Sequence, residues 1–188
     1  MTLCLELMLP AVAPAAPDAG AKARGEFNFY AHSGHASVSS ARSHVSAYQR
    51  YLHETHGIAI PTETPAATAE IATPAAPREA HGSVDPEIAR EASDAIADDI
   101  ERVQRHLTRM QARAKSLGDE DATAKLTAVD KQLGIARRGH AALHEHHAGE
   151  SIAPATAMEL ARQVNDALRA AHAEYDRLLP RYGDSSAE

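Results

Sequence analysis

Alanine is the residue that most constrains this chain: 41 of its 188 positions are Ala, against 31 for Leu, Ile, Val and Phe combined, and Trp is absent. So few β-branched and aromatic side chains cannot fill a sandwich or a barrel. Alanine instead favours helix, and its small side chain lets helices approach closely. The expected fold class is all-α. The formal net charge of −7 disfavours a general nucleic-acid binder, in which Lys and Arg neutralise phosphates and release their counterions to solution. The lone Cys4 excludes a disulfide framework and a thiolate cluster.

Apolar periodicity divides the chain. Residues 1–35 read as a leader and an unstructured N-terminal segment. Within it Leu3 to Ala16 is a short apolar run followed by small residues, the pattern of a secretory signal peptide, although Glu6 interrupts it and no Lys or Arg precedes it. A periplasmic or secreted protein is expected from that run, and a cytoplasmic one if the run is not a signal. It is too short to span a bilayer. Residues 36–57 form an N-terminal helix with Val38, Ala41, Val45, Tyr48 and Leu52 along one stripe, stopped by Gly57. Residues 58–84, rich in Pro, Ala and Thr, read as a linker or a strap across the bundle. Residues 85–182 form a three-helix core, and 183–188 a tail.

The core helices carry local start and stop signals. Asp85, Pro86 and Glu87 are an N-cap, a first-turn proline and a first-turn acid. Ile88, Ala92, Ile96, Ile100, Val103, Leu107, Met110, Ala114 and Leu117 then hold a stripe as far as Gly118. Asp119 opens the next helix, in which Gly134 and Gly139 suggest a close crossing or a kink. Pro154 opens the last, and Pro180 closes it. Short turns predict an up-and-down antiparallel bundle of these three long helices, completed by the N-terminal one.

Twelve histidines are the chemical feature of the chain. His140, His144 and His147 stand at i, i+4 and i+7, which aims three imidazoles at one face. Folding about a turn near residue 119 sets His140 level with Asp98 and His147 level with Glu91, with Asp94 between. His53 and His56 form an i, i+3 pair that reaches the same end if the first helix is antiparallel to the second. Imidazole and carboxylate together suit copper(II) or zinc. His140, His144 and His147, with Glu91, Asp94 and Asp98 and with His53 and His56, are therefore the candidate metal ligands. His106 and His172 fall toward the opposite end. The bland alternative is that histidines near helix C-termini answer the helix dipole and that His172 is a hydrogen-bonded packing residue. His32 and His35, in a Ser/Gly-rich region, read as solvated, with weak metal contact as the lesser alternative. The row Arg102, Arg105, Arg109 and Arg113 reads as a solvated face paired with carboxylates.

The stretches PEIAREASDAIADDIERVQRHLTRM, AVDKQLGIARRGHAALHEHH and ELARQVNDALRAAHAEYDRLL, with HASVSSARSHVSAYQRYL ahead of them, resemble the His-bearing, all-helical, exported proteins that planctomycete bacteria encode in several copies. The resemblance covers roughly the last half of the chain and implies export and a metal role. Some members carry cysteines near the turn between the third and fourth helices. This chain has GESIAPAT there, without a thiol.

No His-Glu-x-x-His, Glu-x-x-His, phosphate loop or nucleophile elbow occurs, so an enzyme is not expected. The expected function is non-catalytic binding or buffering of copper or zinc. The alternative is a structural bundle that contacts a helical partner or a second copy of itself.

Overall fold

The computed structural model describes residues 19–60, 82–149 and 151–179. These form four helices and no strand: α1 (Ala19–His56), α2 (Pro86–Leu117), α3 (Glu120–His147) and α4 (Pro154–Asp176). The leader run Leu3 to Ala16, Cys4, His81, most of the Pro-rich stretch and the tail lie outside the described residues.

The caps follow the local chemistry. The Asp85 side chain accepts from the Glu87 amide at 2.8 Å, and Asp119 accepts from Ala122 at 2.9 Å. Gly118 ends α2 with φ 65°, a left-handed conformation that costs glycine nothing.

The first helix departs most from expectation: it begins at Ala19, not at Ala36. Its buried stripe continues upstream of Val38 through Gly34, Ala31 and Phe27, still at helical spacing. Packing supplies what propensity does not. At Gly34 an added Cβ would lie 2.6 Å from the hydroxyl of Tyr175, so glycine sets how closely α1 approaches α4. Gly139 plays the same part between α3 and α4, where a Cβ would sit 3.1 Å from Val164 Cγ2. Gly134 has only the flexible end of Arg138 within 4 Å and marks no crossing.

The helices pack in a ring, α1 on α2 and α4, and α3 on α2 and α4. The core is thin and continuous, from Phe27, Leu52, Ile96 and Leu107 through Met110, Leu126 and Leu133 to Leu168 and Tyr175, all fully buried. Ile88, expected in the α2 stripe, is 37% exposed, and Ala89 takes its place. Ser93 and Asp99 are buried instead of solvated. Asp99 accepts from Arg102 at 2.7 Å and lies 3.0 Å from His44 Nδ1, which ties α1 to α2. At the end of α3, Val84 donates to the Ile152 carbonyl at 3.0 Å, and the Ile152 amide donates to Ser83 at 2.9 Å. Residues 83 and 84, assigned to the linker from sequence, thus pack against the α3–α4 turn. No helix among the described residues is long and apolar enough to cross a membrane.

Candidate metal centre

The expected ligands do not meet at one point. His140 Nε2 donates to the Ser93 carbonyl at 2.9 Å and lies 3.1 Å from the Ser93 hydroxyl, which is also 3.2 Å from His144 Nδ1. Since a carbonyl only accepts, His140 carries its proton on Nε2. The Ser93 hydroxyl sits between the two rings where a shared ion was expected. Burial lowers the His140 pKa, and the Ser93 backbone bond opposes that shift. His147 turns toward α1 and takes a 2.8 Å hydrogen bond from the Tyr48 hydroxyl. Burial is the main cause of its pKa of about 4, with His146 adding to the shift and the Ala89 backbone opposing it. Burial also raises the Tyr48 phenol, so Tyr48 is the donor and His147 the neutral acceptor.

Glu91, Asp94 and Asp98 are exposed; of the three, only Asp94 acts on His140, through its charge. His53 Nδ1 donates to the Ile58 carbonyl at 2.9 Å, closing the end of α1. His56 lies edge-on to Tyr51 at 5.9 Å. Register explains the difference. His140 is level with Ser93, not with Asp98, because α2 and α3 pair five residues away from the register counted from the turn.

The metal-competent group lies elsewhere. Among the described residues, one set of three or more His, Cys, Asp or Glu side chains has its candidate ligand atoms all within 4.8 Å of one another: His35, His172 and Asp176. His35 comes from α1, and His172 and Asp176 stand at i, i+4 on α4, so both carboxylate and imidazole face one side of that helix. His35 Nε2 is 3.0 Å from Asp176 Oδ1, and His172 Nδ1 is 3.3 Å from Asp176 Oδ2. The two rings lie 4.1 Å apart between centroids. Bonds of 2.0–2.2 Å to a tetrahedral zinc place ligand atoms about 3.3 Å from each other; the two His–Asp separations are of that size, each to a different carboxylate oxygen. The other nitrogen of His172, Nε2, is 3.0 Å from the Ser39 hydroxyl. A hydroxyl serves either tautomer: it donates to Nε2 when Nδ1 holds the proton, and accepts from Nε2–H when Nδ1 binds a metal.

Burial favours neutral His172. Burial lowers its pKa first, the His35 charge adds to this, Asp176 opposes it, and Arg42 adds again. A neutral imidazole is the form that binds a cation. The site is shallow, with the Asp176 side chain 54% exposed.

The sequence reading does not name Asp176, and it gives metal contact at His35 only as the lesser alternative to solvation. Both were visible as spacings, His172-x-x-x-Asp176 in the last helix and His32-x-x-His35 ahead of the first stripe. The second is obscured because the Ser/Gly composition around it predicts an unstructured segment. His106, expected near His172, packs near Tyr30 at 6.1 Å. The arginine row is paired much as expected: Arg102 with Asp99, Arg105 with Glu101, Arg113 with Glu26, and Arg109 over the Tyr30 ring. Comparison of the chain with protein families, curated proteins and solved structures found no match.

Proposed function

We propose that this chain is a metal-binding helical bundle that holds zinc or copper(II) between its first and last helices, through His35, His172 and Asp176. The convergence of two imidazoles and a carboxylate within 4.8 Å carries this reading. Nitrogen and oxygen donors suit both ions. The role is binding or buffering, in keeping with a site formed by two helices of a packed scaffold, and export from the cell belongs to the same reading. The bundle is taken as up-and-down and antiparallel. Contacts support this: Glu26 meets Arg113 where His44 meets Asp99, and His35 meets Asp176 where Gln49 meets Asn165. Along each pair of helices one number rises as the other falls.

Calorimetric titration of chelator-treated protein with Zn²⁺ is expected to give one saturable site. At a free metal concentration 100-fold above Kd, thermal stability should rise by about 2.7 kcal/mol. His172→Ala should abolish both effects, whereas His144→Ala should leave them intact. Binding that survives His172→Ala, or no binding by the unaltered chain, would overturn the assignment.

The 3.0 Å contact between His35 and Asp176 also favours a second reading, a polar clip that only holds α1 to α4. Under that reading metal leaves the melting curve unchanged.

A further inference from the structure

Three ligands leave the shell of a tetrahedral ion one short, and α1 carries one more imidazole a single turn away. His32 lies one turn before His35 on α1. Side chains three residues apart on a helix have Cβ atoms about 5–6 Å apart. At 3.6 residues per turn His32 is rotated about 60° from His35, and only about 20° from Ser39, whose hydroxyl already touches His172. His32 therefore lies on the same flank of α1 as Ser39, about 10 Å from it along the axis at 1.5 Å per residue, and its ring stands outside the group whose ligand atoms fall within 4.8 Å of one another. It is exposed, and its ring makes no hydrogen bond, ion pair or ring contact among the described residues. No structural task in the described fold holds it where it is.

We propose that His32 is the fourth ligand, swinging from solvent onto an ion already held by His35, His172 and Asp176. The inference rests on the metal-binding reading above and fixes its class. Each helix contributes one short chelating pair, His-x-x-His from α1 and His-x-x-x-Asp from α4. Two such pairs make the closed, four-coordinate arrangement of structural zinc sites, in which no position remains for a substrate. A neutral imidazole keeps one ring proton when it binds: His172 loses the proton on Nδ1 to water and takes one up on Nε2, with no net release, and the Ser39 hydroxyl reorients to accept from Nε2–H. The ion so enclosed joins the N-terminal half of α1 to the C-terminal end of α4. The other nearby cation, Arg42, acts on His172 from the same helix as His35 and has no part in the shell.

The test uses Co²⁺ in place of zinc, because four-coordinate Co²⁺ absorbs visible light far more strongly than Co²⁺ with five or six ligands. The full chain should show the intense four-coordinate bands. His32→Ala alters an exposed side chain, so its fold should be intact by circular dichroism. Its Co²⁺ complex should show weak bands of higher coordination, as water enters, and an affinity at least about tenfold lower, the equivalent of 1.4 kcal/mol. Equal affinity and equal spectra in the two proteins would overturn the His32 assignment and leave the three-ligand site standing. Absence of Co²⁺ and Zn²⁺ binding by the unaltered chain would instead overturn both.

Discussion

At the scale of single residues, histidines in this protein are sorted by what their second nitrogen touches. His172 gives one nitrogen to Ser39 and faces Asp176 with the other, whereas His147 is occupied by Tyr48 and His140 by Ser93. A ring whose free nitrogen faces a carboxylate is pre-oriented for metal. A ring whose contacting nitrogen is already engaged by a hydroxyl or the backbone, as Nε2 is in His140 and His147, is a packing residue. Ser39→Ala should therefore weaken Zn²⁺ binding by about 10–100-fold, the usual cost of losing a group that orients a metal-bound imidazole, while leaving the fold unchanged. Competition with a chromophoric chelator measures the difference, and an unaltered Kd would show that Ser39 does not orient the ring. The sequence exposed these residues only in part. Spacing along one helix is readable, and His140 and His144 do meet at the Ser93 hydroxyl, whereas His147 reaches Tyr48 on α1. What lies opposite a helix face depends on register between helices, and a shift of five residues replaces Asp98 by Ser93.

At the scale of helices, legibility followed the strength of local signals. The N-caps Asp85 and Asp119, the stop at Gly118 and the start at Pro154 all stand where the side chains predicted, because a cap is a contact within three residues. The first half of α1 has no such signal. Its buried face includes Phe27, Ala31 and Gly34, too small a stripe to be seen without the partner surface of α4. This makes two glycines respond oppositely to the same substitution. Gly34→Ala pushes a methyl into the fully buried ring of Tyr175, and overpacking of this kind costs about 1–3 kcal/mol. Part is offset by the better helix propensity of Ala, so a net loss of about 1–2 kcal/mol is expected. Gly134→Ala meets only the mobile end of Arg138 and should gain up to about 1 kcal/mol from propensity alone. Urea unfolding of both variants decides it; destabilisation of equal size at both sites would remove the close-approach account of Gly34.

At the scale of the whole molecule, four histidines on three helices are shifted the same way, and each acts on stability in the same direction. Burial is the largest cause at His106, His140, His147 and His172, and each is lowered, His147 to about 4. In the unfolded chain the same rings protonate near pH 6.5. Between pH 6.5 and about 4 the unfolded state thus binds more protons than the folded one, and stability rises with pH across that window. It is fully present above pH 6.5 and is lost as the solution is acidified. Glu159 acts lower: hydrogen bonds from Arg162, which outweigh its burial, depress its pKa, so its contribution is lost only below the ordinary carboxylate range. The interval from pH 6.5 to about 5 therefore belongs to the imidazoles. For the partly buried His147 ring, screened by the water that reaches it, the loss over that interval is of order 1 kcal/mol. The paired change Tyr48→Phe with His147→Leu removes donor and acceptor together, which avoids stranding a buried hydroxyl. Denaturation with chelator present, at pH 7, 6 and 5, should show a shallower decline in the double variant than in the unaltered chain. Parallel declines would mean that the His147 ring takes up its proton without disturbing the contact between α1 and α3.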